Sequence, residues 1–436
     1  MKYIVAFATL LMSSSIFGQF KIQGTVKNYS EKPVMVRINQ GASDKLINRV
    51  ETDKDGKFSV NFPVRYSGVV TLTNLQKTSS LDILTDNEDV VFASLNAGGN
   101  IFSDVVFSKG DNAMGFQKLQ TYKGYLDVKN NIFPTIKALY KPEDDFYKAM
   151  EKEEARIAQA NPSTNLPLLK YYSQLSDLAG AQVETKAAAD IHKNKILFKL
   201  TNDNTNLEGS GLLSKLVLDY LRYSIMDAKS QDDINSIIGT EIDTLLKATD
   251  IETPRGQNVL SAIFAVLPKE QFGPLLEKYY AQANSLSCEK TDELLSNLSA
   301  HNLEKPGSIV PDIHFKEAVK GFKSLYDIKA DKKIIIFWAS WCPACRDEMP
   351  FIKEFYPNFK KLGGEVVAIS LDYNLNDFNE AVKDFGWINY TELTQWDTQG
   401  IEEFGVTSTP TLFLVDKDNK LIKRAGHISE LMDFIK

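Results

Sequence analysis

The segment Trp341-Cys342-Pro343-Ala344-Cys345 constrains this 436-residue chain more than any other. It stands between an unbroken apolar run, KKIIIFWAS (332–340), and a stretch with helical spacing, PACRDEMPFIKEFYPNFKKL. A short apolar run rich in β-branched and aromatic residues predicts a strand buried on both faces. The stretch after it predicts a helix, so both cysteines fall where a strand gives way to a helix. A helix N-terminus presents unpaired backbone N–H groups and the positive end of the macrodipole, which stabilise a thiolate at Cys342. Pro343 suits the first helical turn, because its missing N–H has no partner to lose there. Cys345 falls one turn further in, close enough to attack a disulfide formed on Cys342 and shielded from solvent. The chemistry that fits is thiol–disulfide exchange: attack by Cys342, a mixed disulfide, then resolution by Cys345.

The rest of the C-terminal block alternates strands and helices. GEVVAISLD predicts a second strand and LNDFNEAVKDFGW a second helix. TPTLFLVDKDNKLIKRAG predicts a hairpin, and SELMDFIK a last helix capped by Ser429. That order makes an α/β mixed sheet with helices on both faces.

At these residues the chain resembles the thioredoxin superfamily, specifically the TlpA/ResA-like thiol–disulfide oxidoreductases. FWASWCPAC matches the strand-to-helix motif, and Pro350 matches the proline that kinks the active-site helix. Thr409-Pro410, in VTSTPTLFLV, stands where that fold places a cis proline facing the dithiol. The resemblance covers residues 306–436 and implies a redox-active Cys342–Cys345 disulfide with no separate cofactor. It implies substrate contact through Trp341, Thr409 and Pro410. Two positions depart from thioredoxin itself: Ile336 replaces a buried aspartate, and Glu348 stands where TlpA/ResA-like reductases carry a glutamate that handles active-site protons. Glu348 is accordingly expected to accept the Cys345 proton. The Pro-Ala spacer lacks the histidine of strongly oxidising enzymes, which sets the expected direction as reduction.

Ahead of this block the chain reads in three parts. MKYIVAFATLLMSSSIFG has the basic start, short apolar core and small-residue exit of a signal peptide (1–18), and no cysteine follows it to take a lipid. Residues 19–109 alternate in strand-length runs, with turns at 53–56 and 87–89, and predict a small all-β, sandwich-like domain. Residues 110–305 switch to helical spacing: LLSKLVLDYLRYSIMDA puts Leu212, Leu213, Leu216, Val217, Tyr220, Leu221 and Ile225 on one stripe. Prolines 162, 167, 254, 268 and 274 are expected near helix ends, and Lys-Pro-Gly-Ser (305–308) as a linker. The expected fold is therefore multidomain: all-β, then α-helical, then thioredoxin-like. This order resembles exported thioredoxin-like proteins of Bacteroidetes.

Composition narrows the functions. A net charge of −7 excludes a protein that works by gripping phosphate backbones, so no nucleic-acid partner is expected. No apolar run is long enough for stable membrane insertion. Three cysteines cannot build a disulfide scaffold, and one C-x-x-C without a second cannot complete a zinc site. A peroxiredoxin-type peroxidase needs a lone peroxidatic cysteine, which paired cysteines do not match. Cys288 reads as a half-buried bystander and His427 as a surface residue beside Gly426. With no nucleotide-binding motif to accept electrons, an exported reductant needs a separate membrane or periplasmic electron donor besides its protein disulfide substrates. The expected location is the periplasm. The rival reading is a partner- or ligand-binding protein whose redox domain is accessory. Nothing in the sequence sets an oligomeric state.

Overall fold

Alternating apolar residues shape the N-terminal strands in the computed structural model, which describes residues 20–95, 100–202 and 206–435. The expected signal peptide lies outside them. Along Lys57–Phe62, Phe58, Val60 and Phe62 are buried while their neighbours face solvent, the period-two signature of a half-buried strand. This strand lies antiparallel to Phe20–Val26, which runs parallel to Val90–Ser94, and Val105–Lys109 closes the sheet. Phe20 stacks on Phe62 at 4.4 Å, and Phe58 meets Phe92 edge-on at 6.0 Å. Gly24 makes room for that pair, since a Cβ there would stand 2.5 Å from the Phe58 ring and 2.6 Å from that of Phe92.

A second four-stranded sheet has the order Ser43–Glu51, Pro33–Gln40, Ser67–Asn74, Ser80–Asp86. The turn at 53–56 forms as its residues dictate. The Asp53 carboxylate accepts the Asp55 and Lys57 amides, each at 2.8 Å, and Gly56 takes φ 75°. Ser43–Glu51 and Val105–Lys109 are edge strands of the two sheets. In SDKLINRVE the polar residues mask the period.

From Asp111 the chain is helical. On Leu213–Ser224 five stripe residues, Leu213, Leu216, Val217, Tyr220 and Leu221, are buried. Ser230, Thr253 and Thr291 cap the next helices by accepting the amides of Asp233, Gly256 and Leu294. Pro254 opens its helix, but Pro274 stands inside Lys269–Asn284 rather than at an end. Buried Phe272, Leu276, Tyr279 and Tyr280 pack on either side of it and hold the helix together. By packing, the described residues group into two units: residues up to 37 with 47–173, and 38–46 with 174–436. The helical stretch is thus shared between the units.

The C-terminal part of the second unit is a five-stranded sheet. Its order is Ile388–Thr391, Gly364–Ser370, Lys332–Trp338, Thr411–Asp416, Leu421–Ala425. The first three strands are parallel and the last two antiparallel to their neighbours. The central strand is buried from Lys333 to Trp338. Lys333 keeps its amine there by donating to the carbonyls of Leu325 and Ile328, each at 3.2 Å, and to Asn419; burial lowers its pKa to about 8. The final segment is not the α-helix expected from Ser429. It is a 3-10 turn, Ile428–Phe434, capped at His427, where Glu430 accepts the amides of Gly426 and His427 at 3.1 and 3.0 Å.

Candidate active site

The central strand Lys332–Trp338 gives way, five residues after its end, to the helix Pro343–Lys361. Cys342 is that helix's N-cap, with extended backbone at φ −80° and ψ 117°. Its Sγ accepts the Cys345 amide at 3.3 Å, one of the donors a helix N-terminus otherwise leaves unpaired. On its other side the Cys342 thiol lies 3.4 Å from the Thr409 carbonyl oxygen, to which its S–H donates. The Thr409–Pro410 bond is cis, and Pro410 is buried. The strand-to-helix turn and the loop ahead of Thr411–Asp416 therefore meet at one sulfur.

The two thiols are unbridged and sit in different surroundings. Cys345 is fully buried, whereas 6% of Cys342 reaches the surface. Burial pushes the Cys342 pKa up. Hydrogen bonds from the Cys345 thiol, the Thr409 side chain and the Cys345 and Ala344 backbone outweigh that, and the net shift is downward. For Cys345, burial and the hydrogen bond with Cys342 act together, and its pKa is pushed up to about 12. One thiol is poised as a thiolate and the other held as a proton-bearing reserve. Trp341, between this turn and solvent, is 39% exposed, while Trp338 is core.

A buried carboxylate anchors the turn. Asp372 follows the strand Gly364–Ser370 and is 1% exposed. It accepts the Ser340 amide at 3.2 Å and the Ser340 and Ser370 hydroxyls at 2.6 Å each. Ser340 is two residues before Cys342, so Asp372 fixes the backbone that carries the nucleophile. Asp372→Ala removes the acceptor of three donors, one buried and two half-buried, and is expected to destabilise the protein by about 2–3 kcal/mol. Urea unfolding followed by tryptophan fluorescence checks this, and an unchanged midpoint would show that the contacts carry no stability.

Comparison with known proteins matches residues 306–424 to the AhpC/TSA family. The thiol-disulfide oxidoreductase ResA of Bacillus thuringiensis (strain Al Hakam) is 31% identical over 121 residues, 28% of this chain and 66% of ResA. ResA of Bacillus subtilis (strain 168) is 27% identical over 117 residues, 27% of this chain and 65% of its own length. The chain thus spans just under two thirds of these curated relatives. The C-terminal domain is a TlpA/ResA-like member of the thioredoxin superfamily. Among solved structures, the thioredoxin domain of a Bacteroides vulgatus thiol-disulfide oxidoreductase is 24% identical, with a TM-score of 0.27, and the match covers 30% of this chain and 99% of that one.

Within this thioredoxin-like domain, Ile336 is fully buried in the central strand, so that position supplies no carboxylate beneath the dithiol. Glu348 lies on the active-site helix and is buried, but it points its oxygens at the C-terminal turn. Oε1 accepts the Ile428 amide at 2.6 Å, and Oε2 is 2.9 Å from His427 Nδ1. Sequence reasoning named Glu348 and missed both Asp372 and the partnership with His427. An acid closing a buried strand (AISLD) is a signal that reading could have used. His427 is exposed as expected yet paired, and only tertiary contact reveals the pairing. Cys288 is half-buried elsewhere, with Gln257 Nε2 at 3.5 Å from its sulfur, and lines a cavity of about 1150 Å³ that contains neither active-site cysteine. Among the described residues no cluster of three His, Cys, Asp or Glu side chains could hold a metal.

Proposed function

We propose that this protein is an exported thiol–disulfide oxidoreductase that reduces protein disulfides through Cys342 and Cys345. The carrying observation is the asymmetry of the pair. Cys342 caps a helix N-terminus, accepts the Cys345 amide and has a lowered pKa, while Cys345 behind it keeps its proton. In the forward direction the Cys342 thiolate attacks a substrate sulfur, forming a mixed disulfide and releasing one substrate thiolate. Cys345 gives up its proton and attacks Cys342. The second substrate thiolate leaves and is protonated, and the enzyme keeps the Cys342–Cys345 disulfide. Two electrons pass from the dithiol to the substrate, and no resident cofactor takes part. Thr409 supports a substrate role because its carbonyl lies against the nucleophile, and exposed Trp341 and cis Pro410 flank it.

The reducing direction rests on the Pro-Ala spacer and on Ile336, which places no charge under the site. Export rests on the grammar of residues 1–18. An exported reductant is reoxidised at each turnover and needs a separate electron donor, membrane-bound or periplasmic. Equilibration against glutathione buffers, with the dithiol state read by alkylation, is expected to give a potential below about −200 mV. A value near the ~−120 mV of a strong oxidant would reverse the direction.

A further inference from the structure

The turn that carries the nucleophile is closed by one hydrogen bond, from the Cys342 amide to the Ala339 carbonyl at 3.2 Å. That carbonyl belongs to the same peptide group as the Ser340 N–H, which donates to both Asp372 oxygens at 3.2 Å. A single peptide plane therefore stands between the Asp372 carboxylate and the backbone of Cys342. Followed along these two hydrogen bonds and ordinary bond lengths, the carboxylate lies at most about 13 Å from the Cys342 sulfur. Both residues are buried, so little water screens one from the other.

The donors that hold Asp372 are all neutral: the Ser340 amide and the Ser340 and Ser370 hydroxyls. Both hydroxyls stand at 2.6 Å, the length of an O–H that donates to a carboxylate anion. No cation is among these partners, and the field of the carboxylate reaches the turn. An anion so placed disfavours a second anion on Cys342. It works against the Cys345 amide and the Thr409 side chain, which draw the Cys342 pKa down.

We propose that Asp372 restrains Cys342 electrostatically, as a positioning residue that touches no substrate and keeps the nucleophile basic enough to attack. The inference rests on the dithiol exchange proposed above, with Cys342 as the attacking sulfur. A thiolate loses nucleophilicity as its pKa falls, with a Brønsted slope of ~0.4–0.5, and attack is fastest with a pKa near the ambient pH. A cysteine under a helix N-terminus alone is mostly thiolate and a weak nucleophile. Asp372 is the opposing charge. The other ionisable groups around Cys342 are placed differently. Cys345 faces it from the same helix, and Glu348 spends both oxygens on the Ile428 amide and His427. Arg346 and Asp347 are exposed and opposite in charge, Tyr373 is exposed, and the loop from Val406 to Pro410 carries no charge.

Reaction of the reduced full chain with dithiodipyridine, an uncharged disulfide, tests this. In its first phase the Cys342 thiolate bonds to one probe sulfur and releases the other as thiopyridone. The rate against pH gives a midpoint and a plateau. Asp372→Asn keeps an acceptor for Ser340 and removes the charge. Its midpoint is expected about one pH unit lower, as for a charge ~13 Å away at an effective dielectric of ~20. The plateau should fall about 3-fold by the Brønsted slope, and the rate at low pH should rise about 3-fold, so the profiles cross. A turn that was merely loosened would aim the Cys345 amide less well, and the midpoint would rise instead. Ser370→Ala leaves the Ser340 contacts in place and removes one donor that spreads the charge, so its midpoint should rise. That variant decides the matter alone if Asp372→Asn does not fold. A midpoint that Ser370→Ala leaves unmoved in that case, or one that Asp372→Asn leaves unmoved or raises, would overturn the restraint and leave the exchange reading intact. A native protein with no first phase, or with its first label on Cys345, would instead sink the exchange reading.

Discussion

Replacing Cys345 with serine is expected to stop turnover at the mixed disulfide and leave the substrate covalently held on Cys342. Insulin reduction should fall by about 10³-fold or more, as when one member of a catalytic unit is removed. Intact mass should show an adduct that free thiols release. The physical reason lies in the division of labour across one helical turn. Cys342 accepts the Cys345 amide whichever atom replaces the Cys345 sulfur, because the donor is backbone. The first step therefore survives the substitution, and the second has no nucleophile. Cys342→Ser should abolish both turnover and the adduct, since the buried thiol with a pKa near 12 cannot begin the reaction. An adduct on Cys345 in that variant, or full turnover in the serine variant at 345, would mean that the roles are reversed. The same trap, applied to extracts of the source cell, would identify substrates by their bound cysteine.

The parts of this site legible in the sequence were those set by local chain geometry. A β-branched run from Lys332, a proline directly after Cys342 and an i, i+3 partner are sufficient to predict a strand, a helix start and two cysteines on one turn. The structure has that arrangement, with Cys342 as N-cap and Pro343 in the first turn. Relations carried by tertiary contact were not legible. Asp372 and Ser340 are 32 residues apart and meet because their strands are parallel neighbours in the sheet. Glu348 and His427, 79 residues apart, meet because the chain returns past the active-site helix. The last turn shows the same limit. SELMDFIK has helical spacing, but Glu348 takes the Ile428 amide and Glu430 those of Gly426 and His427, so the turn is capped two residues early as 3-10. In the β region, Ser43–Glu51 pairs through its backbone, and its lysine, arginine and acidic residues erase the alternation by which a strand is recognised.

Alkylation of the reduced protein should modify Cys342 at mildly acidic pH and leave Cys345 untouched. The shift of Cys345 from 9.0 to about 12 is three pH units, so at neutrality it carries about 10³-fold less thiolate than an ordinary cysteine. Cys342 moves the other way, and its thiolate accumulates below the ~8.5 of a free thiol. The sign of the pH dependence follows. Raising the pH deprotonates Cys342 first, and its labelling rate reaches a plateau while that of Cys345 has hardly begun to rise. Labelling Cys342 removes the hydrogen bond and charge that help to hold the Cys345 proton. Burial, the larger cause of its shift, remains, so the second thiol should stay protected after the first is capped. Iodoacetamide pulses between pH 5 and 9, read by peptide mass, measure both rates in one sample. Equal rates, or a Cys342 midpoint at or above that of a free thiol, would remove the electrostatic asymmetry on which the proposed direction of attack depends.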